Sequence, residues 1–170
     1  VIVGDPSHAA RLKAKGIDAH YALIGIGEDH DYLKRLAAEE GVADHVHFLG
    51  HVSYADLPRW YNACNVFAMP NRDIDGDTEG FGLVYLEAAA ACKPAIAGTA
   101  GGTGSAVVDR VTGLRVDGES VDAVAEGLAR LLADEATARE MGRRGRARVI
   151  QNFTHQRRVD QLRAVAGRKR

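Results

Sequence analysis

Short apolar runs alternate along the chain with longer segments in which apolar residues recur every three or four positions. The short runs predict β-strands, and the periodic segments predict amphipathic helices. Regular alternation of the two is typical of βα units that assemble into a parallel sheet. We therefore predict an α/β fold: a Rossmann-like, doubly wound parallel sheet with additional helices at the C-terminal end.

The predicted strands share β-branched or apolar composition and lie at 1–3, 21–24, 46–49, 66–69, 94–97 and 112–116, the last as an edge strand. The predicted helices cover 9–15, 29–40, a segment after Ser53 that includes Leu57, Trp60 and Tyr61, 83–91, a segment from Ser120 onward, 135–149 and 154–165. Gly16 and Gly41 are expected to end the first two helices, and Ser53 to cap the third.

Composition limits the number of domains and the kinds of partner. A length of 170 residues with 46% hydrophobic content fits one domain, which we place at 1–170. Lys plus Arg (22) nearly balance Asp plus Glu (23), so nucleic acid is not an expected partner, although residues 167–170 form a small basic tail.

Targeting and metal-binding signals are missing from the sequence. The two cysteines, Cys64 and Cys92, have no metal-ligand spacing, and no histidine is followed by Glu as in a His-Glu metal motif, so we predict no metal and no cofactor. No apolar run approaches the roughly 20 residues that cross a bilayer. We expect a cytoplasmic protein, with peripheral contact at the inner membrane face permitted by the basic tail.

The most informative segment runs from Glu79 to Glu87, where a polar, Gly-rich loop leads into an apolar helix. Amide groups at a helix start are unsatisfied donors with partial positive charge, and they suit a phosphate. A carboxylate on either side could accept hydrogen bonds from hydroxyl groups flanking a diphosphate. This layout predicts a site for a nucleotide sugar.

Two polar loops follow predicted strands. Residues 70–78 come directly after the strand 66–69, and the Gly-rich loop 98–105 follows the strand 94–97. Ligands of open α/β sheets bind beyond the carboxyl ends of the strands, where both loops and the Glu79 junction should lie. The loop 98–105 is also compatible with nothing more than a tight turn.

These segments resemble the nucleotide-sugar-binding half of the retaining group 1 glycosyltransferases. The resemblance covers most of the chain from Tyr21 onward and is carried by 67–70, 79–88, 93–98, Gly101-Gly102 and 112–114. Members of that family have the GT-B fold, in which two Rossmann-like domains enclose the active site and the C-terminal one holds most of the donor. The resemblance implies transfer of a sugar from a nucleoside-diphosphate donor with retention at the anomeric carbon.

The resemblance also implies residue roles. Glu79 would be the catalytic-site carboxylate that binds the transferred sugar, and Glu87 would hold the ribose hydroxyls. Donor-binding amides would come from Gly80, Phe81, Gly82, Leu83 and Val84. The loop Gly50-His51-Val52 would line the base. No metal is implied, because helix dipoles and basic side chains offset the phosphate charge.

The chain departs from the family at several positions. The family's Arg and Lys clamp on the diphosphate is missing after the first strand, where Gly4-Asp5-Pro6-Ser7 stands, and the chain is shorter than expected after Ser7. Cys92 replaces a frequent Gly, and Gly104-Ser105 replaces a usual Pro-Glu. Because no second Rossmann half precedes Val1, we expect a donor-binding fragment that lacks the acceptor domain and has little activity alone.

Other interpretations of the residues remain open. Glu87 is compatible with a solvated helix surface, Glu79 with a helix cap, and His51 with an exposed loop. At the level of function, the alternative to a transferase half is a non-catalytic nucleotide-sugar-binding or regulatory domain, which the missing clamp favours. A dinucleotide oxidoreductase is disfavoured because no Gly-x-Gly-x-x-Gly follows the first strand.

Overall fold

The computed structural model describes residues 5–167, and in that range strands and helices alternate as the pattern predicts. The strands are β1 (Tyr21–Ile24), β2 (Val46–Gly50), β3 (Phe67–Met69), β4 (Ala95–Gly98) and β5 (Gly113–Val116). The predicted strand at 1–3 and the basic residues 168–170 lie outside the described range.

The helices also follow the predicted order. They are α1 (Ser7–Ala14), α2 (His30–Glu39), α3 (Leu57–Ala63), α4 (Leu83–Ala90), α5 (Val121–Ala133), α6 (Glu135–Asn152) and α7 (His155–Ala166), with short 3₁₀ turns at Ala43–His45 and Thr103–Ser105. Residue Ser53 does not cap α3 as expected. Its hydroxyl accepts from the Asp56 amide at 3.2 Å and closes a turn before the helix, which begins one residue after Asp56.

All strand pairs in the described range are parallel. Strand β1 pairs with β2, and β4 lies between β3 and β5, so β5 is at an edge as predicted. Parallel strands of this length require crossover connections, which the intervening helices supply. The α/β prediction is confirmed.

Alternate residues of β3 and β4 contribute to two different apolar clusters. Ala68 and Ile96 belong to a cluster that also contains residues of α1, α5 and β1. Their neighbours Phe67, Ala95 and Ala97 belong to a second cluster that contains residues of α3 and α4. Since successive side chains of a strand point to opposite faces, helices cover both faces of this sheet, as in a doubly wound fold.

The two clusters differ in composition. The α1 and α5 side is mainly aliphatic, whereas the α3 and α4 side is built around three buried aromatic residues, Tyr61, Phe67 and Tyr85. The aromatic side carries the segment between Glu79 and Glu87. None of the helices in the described range is both long and apolar enough to span a membrane.

Candidate functional site

The carboxylate of Glu79 lies at the start of α4. Its Oε1 atom accepts hydrogen bonds from the amides of Phe81 at 3.1 Å and Gly82 at 2.8 Å. These two hydrogen bonds close the turn that leads into α4, and a carboxylate before a helix start is favoured by the helix dipole. Glu79 does not bond to an amide within α4 itself, and two of the five amides expected to face a donor are engaged by it.

Gly82 precedes α4 in a left-handed conformation that only glycine adopts at low cost. Its φ is 81°, and a Cβ atom at this position would lie 2.3 Å from the ring of Tyr85. The ring is buried, so it has no room to withdraw. The turn that brings the Glu79 carboxylate back onto the helix start thus depends on glycine at this one position.

The second Gly-rich loop packs directly on the Glu79 segment. The amide of Gly102 donates to the Glu79 carbonyl at 2.9 Å, and a Cβ atom on Gly102 would lie 1.9 Å from the Gly80 carbonyl oxygen. The smallness of Gly102 therefore serves contact with protein backbone. The loop 98–105 is more than a tight turn, and it fixes the position of the Glu79 main chain from behind.

Asn71 connects the two loops with the aromatic cluster. Its Oδ1 atom accepts from the amide of Gly98 at 2.9 Å and lies 2.9 Å from the hydroxyl of Tyr85, while its Nδ2 group donates to the Ala100 carbonyl at 2.8 Å. In the sequence, Asn71 is recognisable only as part of the polar loop 70–78. The loops that follow β3 and β4 thus meet at the Glu79 junction, at the carboxyl ends of the strands as predicted.

Glu87 lies on α4 one turn after Leu83 and is held by a different kind of contact. Its Oε2 atom accepts a hydrogen bond of 2.8 Å from the hydroxyl of Tyr61, a residue of α3 that is only 4% exposed. Burial, together with the carboxylate of Glu87, raises the pKa of the Tyr61 hydroxyl. Glu87 is therefore half-buried and oriented, which differs from a freely solvated surface carboxylate.

An open cleft of 630 Å³ lies beside Glu87. Its walls come from the segment before α3, from α3 itself, from the C-terminal half of α4 and from α6, and they include Tyr54, Leu57, Pro58, Tyr61, Ala91 and Arg146. The walls are mainly apolar, and Glu87 is the carboxylate among them. Mostly apolar clefts with a few fixed polar groups are the usual form of small-molecule sites.

Each of the two carboxylates uses one oxygen for anchorage. Within residues 5–167, no protein group donates to Oε2 of Glu79 or to Oε1 of Glu87, so both atoms are available to hydroxyl groups of a ligand. The amides of Gly80, Leu83 and Val84 likewise have no acceptor among the described residues. These amides are the part of the predicted cradle that remains open to a phosphate, and the Leu83 side chain is 64% exposed beside them.

The loop Gly50-His51-Val52 ends β2, and the side chain of His51 is exposed. Gly50 has a φ of 62° and accepts a hydrogen bond of 2.9 Å from the amide of Gly25 through its carbonyl oxygen. These three residues do not line the cleft beside Glu87. A base contact through this loop stays a prediction.

Cys92, which follows α4, has a backbone conformation that favours glycine. Its φ is 59°, in the left-handed region. The Gly that the resemblance leads us to expect here would adopt this conformation without strain, whereas cysteine adopts it at a cost.

His20 comes together with His45 and His47, which are distant from it in sequence, at the opposite end of β1 and β2. His20 Nδ1 lies 2.9 Å from His47 Nε2, and the His45 ring centroid lies 5.1 Å from that of His20. The parallel register that pairs Tyr21 with Val46 produces this grouping. No cluster of His, Cys, Asp and Glu in the described part of the chain is arranged to hold a metal ion.

Comparisons with known proteins agree with this architecture. The family model for glycosyl transferases group 1 matches residues 7–148. A GDP-mannose-dependent alpha-(1-6)-phosphatidylinositol monomannoside mannosyltransferase from Mycobacterium tuberculosis is 46% identical over 130 residues, which is 75% of this chain and 34% of that protein. The chain thus spans about a third of the length of the curated relatives it matches.

Solved structures give the same result for the fold. Sucrose-phosphate synthase from Thermosynechococcus elongatus superposes with a TM-score of 0.79 and 29% identity, covering 96% of this chain and 42% of that chain. The C-terminal domain of a glycosyl transferase group 1 family protein from Francisella tularensis superposes with a TM-score of 0.76 and 25% identity, covering 88% of this chain and 77% of that chain. This chain belongs to the group 1 glycosyl transferases and has the α/β fold of their GT-B structures.

Proposed function

We propose that this chain is the donor-binding half of a retaining glycosyltransferase that takes a sugar from a nucleoside-diphosphate sugar. The observation that carries the proposal is the pair of anchored carboxylates, Glu79 just before α4 and Glu87 on α4, each with one oxygen open to a ligand. Glu79 binds hydroxyls of the transferred sugar, and Glu87 binds those of the ribose. The diphosphate lies on the amides of Leu83 and Val84.

The chemistry follows from this arrangement. Loss of the nucleoside diphosphate from the sugar gives an oxocarbenium-like transition state, in which negative charge develops on the leaving phosphate. Amides at the start of α4 stabilise that charge without reorganising. The loops that lead into α4 and pack beside it are fixed by the hydrogen bonds of Asn71 and Gly102. The Glu79 carboxylate offsets the positive charge that develops on the sugar ring.

The reaction needs no metal in this proposal. Helix-end amides supply charge compensation for the diphosphate. Residue Arg11 of α1 is engaged elsewhere, in an ion pair of 2.8 Å with Asp122 of α5. We therefore do not assign to Arg11 the role of the family's basic clamp, which is missing after the first strand.

The donor is proposed to be a GDP- or UDP-sugar. Four similar curated relatives are named as GDP-mannose-dependent enzymes that act on a phosphatidylinositol mannoside. A lipid-linked or cell-envelope acceptor would place the protein in the cytoplasm, in peripheral contact with the inner membrane face. The acceptor is bound by a second domain, so we propose that the chain alone binds donor and has little transferase activity.

Calorimetric titration of the chain with GDP-mannose, UDP-glucose and ADP-glucose tests the proposal. One of these donors is expected to bind saturably at one site, and Glu87→Ala should weaken that binding by about tenfold or more, because a hydroxyl-to-carboxylate hydrogen bond is lost. A matched control is Glu126→Ala on α5, whose carboxylate lies at the surface in an ion pair of 2.8 Å with Lys15. Equal loss in both variants, or no binding by the parent chain, would contradict the proposal.

A non-catalytic nucleotide-sugar-binding domain remains the second candidate. It is favoured by the Asp5-Pro6-Ser7 segment, which stands where the family has its clamp. Joining the chain to the segment that precedes it in the full-length protein distinguishes the two. Sugar transfer by the longer protein supports the enzyme, and donor binding without transfer supports the binding domain.

A further inference from the structure

Tyr61 is a buried tyrosine whose single hydroxyl hydrogen is given to Glu87. The two residues are 26 positions apart, on α3 and α4, and the bond length is 2.8 Å. A tyrosine hydroxyl has one hydrogen to donate, so this bond selects Oε2 of Glu87 as the anchored atom. Because burial raises the pKa of Tyr61, the hydroxyl keeps its hydrogen at every pH at which a donor would bind.

The Tyr61 ring is itself fixed by neighbouring aromatic residues. Its centroid lies 5.7 Å from that of Phe67, which in turn lies 5.7 Å from that of Tyr85 in an edge-to-face arrangement. The Tyr85 ring lies against Gly82, at the turn that Glu79 closes. This aromatic row (Tyr61, Phe67 and Tyr85) therefore runs beneath α4 from one carboxylate to the other.

A glutamate side chain has three rotatable bonds and loses conformational entropy when a ligand fixes it. A hydrogen bond made before the ligand arrives removes part of that loss, and this is the general benefit of preorganisation. On Glu87, the Tyr61 hydroxyl holds Oε2 while Oε1 has no donor among the described residues. The contact thus orients the carboxylate and leaves it able to bind.

We propose that Tyr61 is the positioning residue for Glu87, holding its carboxylate toward the ribose hydroxyls of the bound nucleotide and so setting the preference for ribose over deoxyribose. The inference rests on the proposed function, since it assumes that Glu87 binds ribose. It assigns Tyr61 no contact with the ligand.

The test compares the affinities of the chain for GDP and for 2′-deoxy-GDP by calorimetry. The parent chain should prefer GDP by about tenfold, as expected when one hydroxyl-to-carboxylate bond is removed. Tyr61→Phe, which deletes only the hydroxyl, should reduce that preference to about threefold or less. Tyr21→Phe is the matched control, because Tyr21 is also buried but lies on β1, and it should keep the preference of the parent chain.

A second comparison separates positioning from general support of the fold. In a chain that already carries Glu87→Ala, adding Tyr61→Phe should change neither the GDP affinity nor the ribose preference, because the group that Tyr61 orients is gone. Further weakening of GDP binding when Tyr61→Phe is added to the Glu87→Ala chain would overturn the proposal. So would an undiminished ribose preference in the Tyr61→Phe chain.

The outcomes also distinguish this inference from the proposed function. If Glu87→Ala abolishes the ribose preference and Tyr61→Phe leaves it intact, the inference fails and the donor site stands. If the parent chain binds neither GDP nor 2′-deoxy-GDP, both fail together. Thermal unfolding of each variant, measured alongside, verifies that the Tyr61→Phe chain is folded at the titration temperature.

Discussion

The carboxylates of Glu79 and Glu87 are held in opposite ways. Glu79 stands in a loop and is anchored by main-chain amides two and three residues ahead of it, with glycines making the turn possible. Glu87 stands on a regular helix and is anchored by one side-chain hydroxyl from another helix. The first contact is local in sequence, and the second depends on the packing of α3 against α4.

This difference suggests a division of tasks between the two ends of the site. Backbone anchorage gives the Glu79 end a geometry that few substitutions could preserve. Side-chain anchorage leaves the Glu87 end adjustable by replacing a single residue, Tyr61. We expect substitutions near Glu79 to affect folding and binding together, and those near Glu87 to affect mainly binding.

The largest expected effect is at Gly82. Gly82→Ala forces a left-handed conformation on alanine and drives its methyl group into the Tyr85 ring, which should lower the free energy of unfolding by about 2–4 kcal/mol. Gly80→Ala is the matched control, because a Cβ atom at Gly80 would meet nothing within 4 Å. Urea denaturation measures the free energy of unfolding of both variants. Equal losses of stability would show that the turn at Gly82 does not depend on glycine.

Removing the Glu79 carboxylate should produce a smaller loss of stability and a specific loss of binding. Glu79→Ala removes the acceptor of the Phe81 and Gly82 amides in the turn before α4 and should cost about 1–2 kcal/mol of unfolding free energy. It should also reduce the preference for GDP-mannose over GDP, because the sugar loses its partner. Glu87→Ala should weaken the binding of GDP and the binding of GDP-mannose by similar factors. Calorimetry measures the ratio of the GDP-mannose affinity to the GDP affinity for each variant. Equal ratios for Glu79→Ala and Glu87→Ala would contradict this prediction.

At the other end of α4, Cys92 tests whether the backbone is strained. Cys92→Val should lower the free energy of unfolding by about 1–2 kcal/mol, since a β-branched residue is poorly tolerated at a φ of 59°. Cys92→Gly should be tolerated much better, because glycine adopts this conformation without strain. Thermal denaturation of the two variants measures the difference, and an equally stable Val variant would refute the assignment of strain.

The smallest expected effect concerns pH and a residue on the aliphatic side of the sheet. Burial lowers the pKa of His8 below its ordinary value of 6.5. The unfolded chain therefore binds a proton at His8 as the pH falls below about 6.5, whereas the folded chain does not, and stability declines until the folded pKa is reached. His8→Gln should flatten the dependence of unfolding free energy between pH 7 and pH 5. An unchanged slope would show that His8 contributes nothing to it.

Local patterns were sufficient to predict most of the elements. The 3–4-residue periodicity and the short apolar runs predicted α4 and β4 to within one residue at each end. These signals arise from residues that are close to one another in the sequence. The junction between Glu79 and α4 could be predicted for the same reason, because the hydrogen bonds from Phe81 and Gly82 to Glu79 span only two or three residues.

Contacts between distant segments could not be predicted in this way. Tyr61 was expected only as part of an apolar helix face, because nothing in its own neighbourhood indicates a partner 26 residues later. The packing of Gly102 on Gly80 likewise depends on how two loops meet. The grouping of His20 with His47 depends on the register of β1 and β2, which a single sequence does not specify.

A crystal structure of the chain with GDP-mannose would show where the donor binds. We expect ribose hydroxyls within hydrogen-bond distance of Glu87, mannose hydroxyls within hydrogen-bond distance of Glu79, and the diphosphate on the amides of Leu83 and Val84. A nucleotide bound elsewhere, or one whose ribose and sugar contact neither carboxylate, would contradict the proposed donor site.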